Sequence, residues 1–315
     1  ISVLLVTTIF SAADMIIRGE TVTMQAKHGS WHIQVNNISD EIAEEINNRP
    51  DVTAVGWSAV FNEDADQPYS VLERKGRLYG TDETYLAQLA DGMEEGTFPQ
   101  SDQEVVLSSN AKLALDVQLG DPVTVQTPAG NVDFTISGFG SDDQEYYEGQ
   151  TFLVAVYMTK DAFVSLMNEN GVSDYATACY VQFQSAAKAA DAITEIQVQY
   201  NLPEGSIREN TAIMGLAGQS SNDSMQNIYG LAAILFIMVL LAGVLMISGS
   251  MNSQVAQRTK FFGMMRCIGA SRKQVIRFVR LEALNWCKTA IPIGLIVGTV
   301  ITWAVCALLR YGIGG

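Results

Sequence analysis

The sequence predicts an α+β extracytoplasmic domain, a split βαβ frame with a β-rich inserted lobe, attached to an α-helical transmembrane domain. Three observations predict it: two long gaps in charge, a segregation of acidic from basic residues along the chain, and a strand, helix, strand order that occurs twice.

No Asp, Glu, Lys or Arg occurs from Ser224 to Gln257 or from Thr289 to Leu309, although charged residues make up 17% of the chain. These gaps are 34 and 21 residues long, and about 20 helical residues cross the roughly 30 Å hydrocarbon core of a bilayer. Within the first gap, Ile228 to Ile247 carries Leu, Ile, Val, Phe and Met on every face, where a soluble helix keeps a polar stripe. Transmembrane helices are expected at 224–251 and 289–310. Ile1 to Ala13 is also uncharged but too short to cross. Residues 1–18 are expected to be the end of a truncated first transmembrane helix rather than a signal peptide, because no basic segment precedes the apolar run and no small-residue cleavage pattern precedes Asp14.

Residues 19–223 hold 9 basic and 32 acidic side chains, net −23, whereas residues 224–315 hold 9 and 1, net +8. Eight of the late basic residues lie between the two gaps: Arg258, Lys260, Arg266, Arg272, Lys273, Arg277, Arg280 and Lys288, against Glu282 alone. Short basic loops stay in the cytoplasm. Residues 252–288 are therefore expected to be a cytoplasmic basic segment and 19–223 an extracytoplasmic domain, and no nucleic acid is expected as a partner. Of the four cysteines, Cys179 alone falls in 19–223, while Cys267, Cys287 and Cys306 lie in or beside the spans. The outer region has no internal disulfide to form, and its stability must come from a core, which about 200 residues can supply.

In that region Trp31 to Val35 alternates as a strand. Ser39 caps a helix that carries Ile42, Ala43 and Ile46 on one face and stops at Pro50, and Val52 to Phe61 is a second strand. The order recurs in the strand Cys179 to Phe183, the helix Ala186 to Tyr200 and the strand Ser206 to Glu209. The two units (31–61 and 178–210) are expected to pair into one α/β lobe, with 62–177 as the inserted lobe. In the insert, strands are expected at Glu104 to Leu107, Pro122 to Gln126, Val132 to Phe139 and Phe152 to Met158, with a hairpin around Ala129, Gly130 and Asn131. Short helices are expected near Asp82 to Leu89, Ser109 to Leu115 and Lys160 to Met167.

The chain lacks a G-x-x-x-x-G-K-[ST] loop, so ATP-driven work needs a partner. His28 and His32 are four apart, as metal ligands on one helix face would be, but Gly29 weakens that helix and no third ligand follows at a familiar spacing. Neither is marked as an activated base. The run Asp142, Asp143, Glu145 and Glu148 lacks the alternating ligands and glycine of a calcium loop and reads as a solvated loop. The net −23 of the region is a field that would steer cationic peptides.

The basic segment is the informative stretch. Gly263 and Gly269 interrupt its helix, and Ser271 with Gln274 forms the S-x-x-Q capping box of a new one. From there Val275, Ile276, Phe278, Val279, Leu281 and Leu284 share one side, with Lys273, Arg277 and Arg280 elsewhere. This is a short amphipathic helix at the inner face of the membrane, which physics alone assigns to anionic lipid, to a protein partner or to a plain connection.

The residues RTKFFGMMRCIGASRKQV, followed by Glu282 and Pro292-Ile293-Gly294, resemble the membrane domain of the FtsX-like permease family, the permeases of ABC systems of the MacB, LolCDE and bacitracin-exporter type. The resemblance implies that Arg266, Ile268, Gly269, Ala270, Ser271 and Gln274, with Glu282, engage a separate ABC ATPase subunit. Glu104 to Phe139 and the split frame resemble, more loosely, the MacB-type periplasmic core domain. The family implies a bacterial cytoplasmic membrane protein that is not catalytic itself, works as a permease dimer or pseudo-dimer, and converts ATP binding by its partner into movement of the outer domain on a peptide, lipid or lipoprotein cargo, or in resistance to antimicrobial peptides. It also implies a fourth span after Arg310, so the chain is expected to be a fragment of a four-span permease or the first half of a longer one. A membrane sensor with a ligand-binding outer domain and no ATPase is the competing reading; an outer-domain hydrolase ranks last, for want of a nucleophile and base pair.

Overall fold

A computed structural model describes residues 2–64, 66–90, 92–140, 147–148 and 151–312. The chain divides into two compact units, one of Thr21–Asn222 and one of Ile1–Glu20 with Asp223–Gly315.

Helix α1 (Ser2–His28) leads into β1 (Ile33–Asn36), α2 (Asp40–Asn47) and the long β2 (Val52–Phe61). Next come β3 (Ser70–Val71), β4 (Arg74–Thr81), a π-helical turn at Thr84–Leu89, and β5 (Met93–Gly96). The middle is completed by β6 (Glu104–Ser108), α3 (Ser109–Leu115), β7 (Pro122–Thr127), β8 (Gly130–Gly140), β9 (Tyr147–Glu148), β10 (Thr151–Thr159) and α4 (Lys160–Glu169). The sheet unit closes with β11 (Ala176–Phe183), α5 (Ala186–Gln199), β12 (Ile207–Glu209) and α6 (Thr211–Leu216).

The frame strands lie in the order β12, β1, β11, β2, every neighbouring pair antiparallel. Helix α2 starts on Ser39, whose hydroxyl accepts the Ile42 N–H. It packs Ile46 with Ala189, Ala192 and Ile196 of α5 over Ile33, Val35, Val181 and Phe183. The middle strands have their own core of Leu78, Val105, Leu107, Ile136, Phe139, Val154, Val156 and Phe163, yet they belong to the same hydrogen-bonded sheet. Ten residues of β2 suffice for both neighbours: Val52 to Val60 pair with β11, and Ser58 to Phe61 pair with β4. Strand β4 in turn runs parallel to β10, so 62–177 continues the frame's sheet instead of forming a second one. The hairpin of β7 and β8 closes with Thr127 opposite Gly130.

The structure departs from expectation where packing overrides local pattern. The polar stretch from Gly19 is helical, so α1 runs 27 residues. It ends at Gly29, whose φ of +78° and contact with the Leu89 carbonyl leave no space for a Cβ. His28 closes α1, and His32 lies beyond it with its Nδ1 accepting the Phe183 N–H at 3.1 Å. The two histidines therefore share no helix face. Asp142, Asp143 and Glu145 lie outside the described residues, and Glu148 lies in β9.

Two adjacent residues at the end of β12 gather both roots of this unit. The Asn210 amide donates to the carbonyls of His28 and Trp31 at 3.2 and 3.0 Å, where α1 ends, and its oxygen accepts the Ile213 N–H to cap α6. The Glu209 carboxylate accepts the Ser221 N–H and hydroxyl at 3.0 and 3.1 Å, the Asn222 N–H at 3.2 Å, and the Ser220 hydroxyl. The next residue, Asp223, begins the long helix of the other unit.

Two outcomes are expected. Burial lowers the pKa of His32 from 6.5, so the neutral ring stabilises the fold above that pH and the contribution is lost as pH falls through the depressed folded value. Protection of the amides in β1 and β11, taken relative to intrinsic exchange at each pH, should fall below about pH 6.5 in the native chain, and a His32→Gln chain should lose that pH dependence. Glu209→Ala removes the carboxylate that accepts from the Ser221 N–H and from the Ser220 and Ser221 hydroxyls, while the Asn222 N–H keeps Ser220 Oγ at 3.2 Å. About 1–3 kcal/mol of local stability should vanish, read as roughly 5- to 150-fold faster exchange at Ser221 and Asn222.

Candidate functional site

The other unit carries the basic segment. Helix α7 (Asp223–Gln257) runs 35 residues, followed by α8 (Thr259–Cys267) and α9 (Arg272–Gly312). Two stretches, Asp223–Ser253 and Arg272–Ala304, are long and apolar enough to cross a membrane. Side chains such as Leu231, Phe236, Ile237, Val239 and Leu240 are exposed around the whole circumference of α7, a surface suited to lipid and not to water. On α9 the buried positions Gly294, Gly298 and Thr302 recur every four residues. The amphipathic stretch and the second span, expected as separate helices, form the single 41-residue α9.

Between α8 and α9 the chain turns on hydrogen bonds that the motif residues supply themselves. Gly269 N–H bonds to Arg266 O at 3.1 Å and Ala270 N–H to Met265 O at 3.0 Å. Gly269 takes φ +99°, the left-handed residue that such a helix ending requires. Ser271 N–H then donates to Gln274 Oε1 at 2.8 Å while Gln274 N–H donates to Ser271 Oγ at 3.3 Å, the reciprocal bonds of a capping box. Arg266, Ile268, Gly269, Ala270, Ser271 and Gln274 thus build one turn that stops a helix and starts the next within four residues. At its tip Ile268 is 86% exposed.

Glu282 does not join them. It lies about 16 Å further along α9 and pairs with Arg258, the residue linking α7 to α8. Rings of Phe261 and Phe278, 6.1 Å apart, pack α8 against α9. Arg280 departs from its expected place: it lines, with Phe262, Arg266, Arg272, Val275, Ile276 and Val279, a cleft of about 420 Å³ between the two helices. The α9 members follow the spacing i, i+3, i+4, i+7, i+8, so that signal was available in the sequence.

Among the described residues no three His, Cys, Asp or Glu side chains gather as metal ligands. Cys179 is buried, and that burial pushes its thiol pKa up to about 12, far from a reactive thiolate.

Comparison with known proteins finds two family models in this chain. The MacB-like periplasmic core domain matches residues 1–199 and the FtsX-like permease C-terminal model matches residues 233–314. Residues 200–232, which hold β12, α6 and the start of α7, lie between them. None of the curated proteins compared matches the chain. Among solved structures, the periplasmic region of MacB from Actinobacillus actinomycetemcomitans is similar at 15% identity, over 63% of this chain and 97% of that one, with a TM-score of 0.40. A domain of a putative permease protein from Porphyromonas gingivalis is similar at 13% identity, over 58% and 89%, with a TM-score of 0.37. The chain belongs to the MacB-like periplasmic core domain family and carries the FtsX-like permease module, which makes it a permease of the ABC transporter type.

Proposed function

We propose that this chain is the permease subunit of a mechanotransmission ABC transporter. In this reading a separate ATPase docks on the turn between α8 and α9 at the cytoplasmic face, and its cycle of binding and hydrolysis moves the acidic sheet unit on the opposite side. The cargo is a peptide, lipid or lipoprotein that is exported or extracted, including antimicrobial peptides. The net −23 of residues 19–223 favours cationic peptides among these.

The observation that supports the reading is the turn itself. Its residues close one helix and open the next on their own hydrogen bonds and leave Ile268 86% exposed at the tip, in a segment with eight basic residues against Glu282 alone. A stiff, basic, apolar-tipped turn is suited to a protein surface.

The test is a Gly269→Val, Ser271→Ala double variant, purified with its ATPase. Valine is strained at φ +99° and alanine removes a cap worth about 1 kcal/mol. Transport driven by ATP should fall at least tenfold while amide exchange in the sheet unit stays as in the native chain. Unchanged coupling would refute the reading. A native chain that purifies without any ATPase, yet binds a ligand on its sheet unit, would point to a membrane sensor instead.

A further inference from the structure

The turn does not exhaust the basic segment, because the cleft beside it is built from residues to which the coupling reading gives no role. We infer that the cleft between α8 and α9 receives an acidic, apolar-tipped segment of the ATPase, carboxylates meeting Arg266, Arg272 and Arg280 around one inserted apolar side chain. The inference rests on the coupling reading and specifies the chemistry of the partner's surface.

Charge comes first. Within residues 252–288 the single carboxylate is that of Glu282, and Arg258 holds it. None of the ion pairs among the described residues includes Arg266, Arg272 or Arg280. Three arginines therefore line one cleft with no ion-pair partner among the described residues, an arrangement that an anionic occupant would stabilise. Arginine forks suit carboxylates in paired geometry and remain effective when partly desolvated.

Shape comes second. Between the arginines the floor is apolar: Phe262, Val275, Ile276 and Val279, with Val275 and Val279 half-buried and Ile276 44% exposed. A phosphate or a nucleic-acid backbone would leave that floor without a partner. An aliphatic or aromatic side chain flanked by acids fills both requirements, and apolar anchors ringed by charged pairs are the usual composition of a binding hot spot.

The experiment uses the full chain and the ATPase that co-purifies with it, reconstituted in phosphatidylcholine and, separately, in phosphatidylglycerol vesicles. Arg272→Glu and Arg280→Glu should each weaken ATPase association at least tenfold, and Arg272→Lys should weaken it less. Raising salt should weaken the native complex and strengthen that of the Arg272→Glu, Arg280→Glu double variant, whose glutamates face the partner's acids. Amide exchange across α8 and α9 reports whether each variant keeps its helices, and Val279→Thr, which preserves charge and volume, should weaken binding at every salt concentration.

If the ATPase binds all these variants as tightly as the native chain, the cleft proposal falls and the coupling reading stands. If the native association needs phosphatidylglycerol and is lost in phosphatidylcholine, a lipid occupies the cleft and the proposal also falls. A native chain with which no ATPase co-purifies overturns both.

Discussion

A carboxylate that accepts bonds from three consecutive residues holds a chain segment far more firmly than a single contact would, and Glu209 does this for Ser220, Ser221 and Asn222. Its neighbour Asn210 grips the carbonyls at the end of α1. Both residues lie at the end of β12, so one strand end holds the segments that lead out of the sheet unit. At the far end of α7 a second glutamate, Glu282, pairs with Arg258. Helix α7 itself is sheathed in exposed apolar side chains, a surface that lipid can solvate along its length.

The basic turn follows the same economy at smaller scale. Its motif reads like a docking signature, yet five of its residues are first of all backbone carpentry. Gly269 supplies a left-handed conformation, the Arg266 carbonyl and the Ala270 N–H complete the helix ending, and Ser271 with Gln274 opens the next helix. Only Ile268 and the Arg266 side chain are left to face outward. Stiffness of the turn and exposure of its tip are consequences of one set of hydrogen bonds.

Much of this was legible in the residues. Strand β2, helix α3 and the cap at Ser39 follow from alternation, apolar spacing and capping chemistry, and the Ser271 and Gln274 pair was readable from its spacing alone. Strand β4 was not, because Arg74 to Thr81 has two glycines, three basic residues and no alternation; it is a strand because β2 and β10 supply ladders on both its sides. The extension of α1 through a polar stretch and the fusion of the amphipathic stretch with the second span were likewise invisible to local pattern. In the site, cap positions could be read, but the partner of Glu282 could not, since Arg258 is 24 positions away in sequence. Arg280 was assigned to the wrong side by following apolar residues alone, when the cleft mixes apolar and basic positions on one helical face.

The ladders that carry β2 into β4 and β4 into β10 bear on how the sheet unit can deform. Jaws need a hinge, and a hinge needs a crossing where few backbone bonds must part. Here four residue pairs join β2 to β4 and seven join β4 to β10, so prising the lobes apart would strip amides of their partners in the middle of the protein. The sheet unit is therefore stiff along this line and offers no hinge between β2, β4 and β10.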